Sequence, residues 1–163
     1  MNHDTYTDDY LRTILDETKI VAMVGASAHW NRPSYFVMKY LQSKGYRVAP
    51  VNPGCAGQTI LGERAYASLG EVPGPIDMVD VFRSPEAAGG VVDEALAVAA
   101  EKRICTVWMQ IGVRDDHDAA RAEQAGLRVV MNRCPKIEYG RLHSELGWGG
   151  IVSNIISSRR RRM

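Results

Sequence analysis

The sequence predicts an α/β fold, a doubly wound five-stranded parallel sheet with helices on both faces. Three observations predict it: five short apolar runs without polar alternation, helical patterns between them, and a glycine that closes the first run. The runs are Lys19 to Val24, Arg47 to Val51, Met78 to Phe82, Cys105 to Met109 and Arg128 to Met131. Continuous apolarity is what a strand covered on both faces requires, and strands joined through helices become parallel neighbours. The expected strand order is 3-2-1-4-5, because the glycine turn follows the first strand.

Each element has a local reason. Tyr6 to Glu17 sets Tyr6, Tyr10, Leu11, Ile14 and Leu15 at helical spacing, with Asp8 and Asp9 in the first turn, where the helix dipole favours acids. Pro33 to Ser43 opens with Pro and Ser, continues with Phe36, Val37, Tyr40 and Leu41 at helical spacing, and closes at Gly45. Asn52 to Pro75 breaks the alternation with scattered Gly and Pro, and predicts irregular structure with one helical turn around Tyr66. Pro85 to Ala100 has Ser84 as N-cap, Pro85 at the first helical position and Glu86 beside it. Asp116 to Ala125 begins among acids and stops at Gly126. Asn132 to Pro135 must turn, since Pro135 disfavours helix at Cys134. Ile137 to Leu146 reads as a helix broken by Gly147-Trp148-Gly149-Gly150, and the apolar Ile151 to Ser158 packs on the sheet or on another subunit. There is no internal repeat, so residues 1–163 are expected to form one domain: a helix over about 6–17, a core over about 19–142 and an extension over 143–163.

Composition narrows the function classes. With 45% hydrophobic and 24% charged residues and a net charge of +1, a general electrostatic grip on nucleic acid or an anionic membrane is not expected. The Arg159 to Arg162 run is the exception, expected as a terminal tail. No apolar run approaches the ~20 residues of a membrane span. The first nine residues are acidic where a signal peptide is basic. Cys55, Cys105 and Cys134 are unpatterned, which points to a reducing cytoplasm rather than to disulfides or zinc.

In open parallel sheets, ligands bind beyond the carboxyl ends of the strands. Gly25 permits a tight turn and close approach of a phosphate, and the next helix begins at Pro33-Ser34 with unsatisfied amides. On this reading a side chain at Gly25 removes the ligand and spares the fold. The dinucleotide fingerprint is absent: Gly25 is its only glycine, and Val51-Asn52-Pro53 stands where an acid would hold a ribose hydroxyl. Arg32 is free to pair with a phosphate on the adenosine ribose.

Val24-Gly25-Ala26-Ser27, Asn31-Arg32-Pro33-Ser34-Tyr35 and Val51-Asn52-Pro53 together resemble the small bacterial coenzyme A-binding proteins. Ile60-Leu61-Gly62, Val79-Asp80-Val81-Phe82-Arg83, Val107 to Gly112 and Asn132 to Glu138 extend the likeness from Lys19 to Leu142. These proteins are similar to the N-terminal domain of the succinyl-CoA synthetase α subunit. The resemblance implies a Rossmann-like fold holding coenzyme A. Gly25, Ala26 and Ser27 would meet phosphates, and Val51, Asn52 and Pro53 would line the adenosine side. Phe82, Arg83 and Pro85 would form the next wall, with Gln110 and Gly112 along the pantetheine path. The loop His29-Trp30-Asn31-Arg32 departs from the synthetase pattern, which is richer in small residues. The phosphohistidine domain of the synthetase has no counterpart in this length.

No catalytic constellation stands out. Cys55 and Cys134 lack a base placed by sequence, and buried thiols are the expectation. His29, His117 and His143 lack metal-ligand spacing, and Asp115, Asp116 and Asp118 read as a helix start. The sequence therefore points to a module binding coenzyme A or an acyl-CoA, without an assignable reaction. An NAD(P)-dependent oxidoreductase or another nucleotide-binding Rossmann protein stays open, as does an interaction protein that dimerises through its C-terminal apolar stretch or binds another protein.

Overall fold

The structure, a computed structural model, describes residues 1–143. The Gly147–Gly150 break, the Ile151–Ser158 stretch and the arginine run lie outside the described residues. The main-sheet strands are β1 (Ile20–Val24), β2 (Arg47–Val51), β5 (Met78–Val81), β6 (Thr106–Met109) and β7 (Arg128–Val130), and β3 (Thr59–Ile60) pairs with β4 (Glu63–Arg64) in a small hairpin. The helices are α1 (Asp8–Glu17), α2 (Pro33–Ser43), α3 (Pro85–Lys102), α4 (Asp116–Gln124) and α5 (Pro135–Leu142). All five main strands pair in parallel.

Alternate strand residues serve two cores. Val21, Met23, Val48, Met78, Trp108 and Val130 pack with α1, α2 and α5, while Ala22, Val24, Val79, Val81, Val107 and Met109 pack with α3 and α4. The doubly wound α/β fold predicted from the apolar runs is present, with the helices on both faces.

The strand order is a correction. The sheet runs β2-β1-β5-β6-β7, so the five strands in chain order stand 2-1-3-4-5 rather than 3-2-1-4-5. Pro50 explains why. Its carbonyl accepts from Tyr66 N at 2.9 Å on the outer side of β2, the side on which its missing N–H would also lie. A full strand there would lose a ladder bond, so β2 is an edge strand. Tyr66, expected in a helical turn, instead lies extended beside Val51 and covers that edge. The third strand then takes the free side of β1.

The opposite edge is covered by α1 and the segment just before it. Tyr10 Oη donates to Val129 O (2.9 Å) and accepts from Val129 N (3.2 Å), and Tyr6 Oη accepts from Met131 N (2.8 Å). Two tyrosines read from the sequence as apolar helix residues thus satisfy the unpaired backbone of β7, which blunts the edge against further strand pairing.

Candidate functional site

The observed order sets the reversal point between β1 and β5: the chain leaves β1 for β2 on one side and returns to β5 on the other. A crevice opens where the loops after such strands part in opposite directions. Gly25 ends β1 there, with φ +91°. A Cβ on it would lie 2.3 Å from Phe82 O and 2.9 Å from Phe82 C. The glycine is thus demanded first by the neighbouring backbone, so a side chain at Gly25 disturbs the fold as well as any ligand. This corrects the expectation that the fold would be spared.

The loop after Gly25 is fixed from several directions. Gly25 N donates to Val51 O (2.8 Å), Ser27 N to Ser34 Oγ (3.1 Å) and His29 N to Ser27 Oγ (3.1 Å). Asn52 Nδ2 donates to Ala26 O (2.8 Å), while its Oδ1 accepts from Gly54 N (2.9 Å). Asn52 therefore ties the ends of β1 and β2 together. Above this frame lies a groove of about 450 Å³ lined by Gly25, Ser27, Arg32, Pro33, Ser34, Asn52, Phe82 and Arg83. Helix α2 starts at its rim with no side-chain cap and no acid in its first turn, so its positive end is left uncompensated. Arg32 and Arg83 are both exposed, and among the described residues neither guanidinium has a carboxylate partner. The chemistry on offer is anion binding, with two delocalised cations and a helix terminus around one groove.

A second chamber of about 400 Å³ adjoins the groove and shares Pro33, Phe82 and Arg83 with it. Val37, Ile111, Val113, Cys134 and Ile137 make its wall apolar, and Gln110 supplies an amide. Gln110 Nε2 donates to Asp80 Oδ1 at 2.9 Å, and among the described residues Asp80 Oδ2 has no partner. Burial pushes the Asp80 carboxyl up to about 7, with the Gln110 hydrogen bond opposing. Burial also raises the Cys134 thiol, which keeps it protonated rather than nucleophilic.

Nine of the fourteen residues singled out in the sequence line these two spaces: Gly25, Ser27, Arg32, Pro33, Ser34, Asn52, Phe82 and Arg83 at the groove, and Gln110 at the chamber. Ala26 and Val51 are buried and act through their carbonyls. Pro53 opens a short 3-10 turn and Pro85 opens α3, both exposed. Gly112, at φ +85°, donates its N–H to Asn132 Oδ1 (2.7 Å) and lies off both linings. Sequence reasoning missed the apolar chamber wall. Ile111 and Ile137 are 61% and 46% exposed, and apolar residues just after a strand and in a helix's first turn were the available signal.

Elsewhere the acids at Asp115 to Asp118 form the expected helix start. Asp115 accepts from Asp118 N (3.0 Å), and Asp118 pairs with Arg121. His3, which carries no sequence signal of its own, is buried between Tyr6 Oη and Glu123. Among the described residues no helix is long and apolar enough to cross a membrane.

Comparison with known proteins extends this geometry. A family profile described as CoA binding domain matches residues 19–140. An uncharacterised protein of Bacillus subtilis, YneT, is 36% identical over 129 residues, which cover 79% of this chain and 91% of that one. A solved hypothetical protein from Pyrococcus horikoshii is 37% identical with a TM-score of 0.78, over 87% of this chain and 96% of its own. An acetyl-coenzyme A synthetase of Candidatus Korarchaeum cryptofilum, solved with phosphate and ADP, shares the fold at 20% identity and a TM-score of 0.59, over 77% of this chain and 28% of its own.

Proposed function

We propose, because this chain belongs to the CoA-binding domain family, that the groove at the sheet's reversal point seats coenzyme A or an acyl-CoA. One observation carries the reading. Two guanidiniums without carboxylate partners among the described residues, Arg32 and Arg83, flank a groove that continues, past Pro33 and Phe82, into an apolar chamber. Coenzyme A has this division: an anionic phosphorylated adenosine head and a long uncharged arm.

In this reading the phosphates sit over Gly25, Ala26 and Ser27 at the start of α2, and Val51, Asn52 and Pro53 bound the adenosine. Phe82, Arg83 and Pro85 flank the turn of the ligand, and the arm follows Gln110 toward Gly112. Arg32 is the partner of the ribose phosphate, since no acid between Asn52 and Gly62 repels one. The same absence argues against NAD, whose ribose hydroxyls need a carboxylate acceptor. The domain acts as a cytoplasmic binding module over residues 1–163, and no reaction is assigned to it.

Thermal unfolding with coenzyme A, dephospho-coenzyme A, NAD and NADP tests this. A ligand at 100 times its Kd stabilises by about 2.7 kcal/mol, a shift of several degrees for a domain of this size. Coenzyme A should give the largest shift, the dephospho form a smaller one, and NAD almost none. Arg32→Ala should bring the first two together. A shift with NAD equal to that with coenzyme A would overturn the reading.

A further inference from the structure

We infer that Asp80 is a positioning residue: it turns the Gln110 amide so that Oε1 faces the apolar chamber as the acceptor for an amide N–H on the ligand's arm. The inference rests on the coenzyme A reading and adds what the chamber selects, a chain bearing N–H groups rather than a bare hydrocarbon.

Nine of the described residues line the chamber, and of their side chains Gln110 alone carries an oxygen. Which end of that amide faces the chamber decides whether the wall accepts or donates. Asp80 decides it. The carboxyl lies on the central strand β5 between Met23 and Trp108, with no solvent exposure. Its Oδ1 accepts a hydrogen bond from Gln110 Nε2, which leaves Oε1 as the end free to face the chamber that Gln110 lines. With the amide reversed, an ionised carboxylate would face a carbonyl oxygen in a medium of low dielectric, which is strongly unfavourable.

Protonation changes this choice. A protonated Asp80 carries an O–H, and the partnerless Oδ2 shows that the present arrangement offers that proton no acceptor. Reversing the Gln110 amide supplies one and points the NH2 group into the chamber. The proton on Asp80 therefore sets the polarity of a wall it does not itself form. The groups facing Asp80 do not pin its charge. Cys134 on the α5 side is held as a thiol by burial, Met23 and Trp108 are neutral, and the buried α2 residues Val37 and Met38 are apolar. Among the described residues Arg83 is the one charged side chain on the chamber lining.

Calorimetric Kd values for coenzyme A and for an armless analogue, the β-methyl ester of 3′-phosphoadenosine 5′-diphosphate, measured from pH 5.5 to 8.5, test the inference. The analogue keeps the 3′-phosphate, the diphosphate diester and their titration but has no arm. In the natural protein, affinity for coenzyme A relative to the analogue should rise with pH by about fivefold, the equilibrium equivalent of one neutral hydrogen bond. In Asp80→Asn, which offers the same acceptor and no titrating proton, the ratio should be flat. The carboxyl carbon resonance of Asp80, followed in the unsubstituted protein, should titrate near neutrality and move to lower pH when coenzyme A is added. A flat ratio in the natural protein, an equal slope in Asp80→Asn, or an Asp80 midpoint unmoved by coenzyme A would overturn it. If coenzyme A binds with a flat ratio, only the role of Asp80 falls. If neither compound binds at any pH, the proposed function falls as well.

Discussion

A methyl group at Gly25 is the sharpest perturbation the structure offers. Gly25→Ala places a Cβ 2.3 Å from Phe82 O, where ordinary van der Waals contact needs well over 3 Å. The residue also keeps φ near +91°, which costs an L-amino acid about 1–3 kcal/mol. Neither backbone can step aside freely, because Gly25 N is bonded to Val51 O and Phe82 N to Val24 O, each at 2.8 Å. Opening the gap strains or breaks one of these bonds, about 1 kcal/mol more. The sum is a loss of about 2–4 kcal/mol, a large share of the 5–15 kcal/mol typical of a domain. Urea unfolding without ligand measures it. A loss below about 1 kcal/mol, with coenzyme A binding abolished, would refute the reasoning: Gly25 would then be kept open for a ligand rather than for the neighbouring strand.

Two further outcomes follow from buried and exposed positions. Gly90 in α3 is exposed, and a Cβ added there would meet nothing within 4 Å, so Gly90→Ala should stabilise by about 0.5–1 kcal/mol in the same urea assay, the helix-propensity difference without a packing change. For Asp80 the folded carboxyl titrates at about 7 and the unfolded one near the ordinary aspartate value of about 4, so the folded protein keeps a proton that the unfolded chain has released. Its contribution to stability is therefore greatest at low pH and declines as pH rises from about 4 to about 7, by as much as about 4 kcal/mol in total. Unfolding free energies at pH 5 and pH 8 should show this decline, and Asp80→Asn should remove it; an identical pH dependence in the variant would show that Asp80 titrates normally.

Much of the architecture was legible because its signals are local. The apolar runs gave all five main strands, and Pro33, Pro85 and Gly126 marked helix limits within a residue or two of those observed. Asp115 and Ser84 cap their helices through their own side chains, as acids and serines at such positions do. What local signals could not convey was who neighbours whom. Tyr6 and Tyr10 fit an amphipathic helix equally well whether their hydroxyls meet water or the edge of β7. The β3–β4 hairpin was hidden in a segment of two-residue strands, turned by Leu61 and Gly62 at φ 48° and 84°. That left-handed pair suits the twist of a hairpin, but Leu is rare there and gave no warning.

The misplaced strand order shows how much of the site depends on topology. Pro50 was visible, and a proline inside an apolar run is an argument for an edge strand. Given that, the third strand has no place outside β2 and must lie against β1. With the order 3-2-1-4-5, the crevice beside Gly25 would open between β1 and the strand ending at Gln110, and Arg83 would lie on a distant edge. With the observed order, Phe82 and Arg83 face Gly25 directly, and Gln110 falls one strand further on, beside Asp80. One proline thus separates a polar groove from an apolar chamber: it puts the guanidinium of Arg83 at their shared wall and the single side-chain amide of the chamber lining at the far side, over a carboxyl that no cation among the described residues holds ionised.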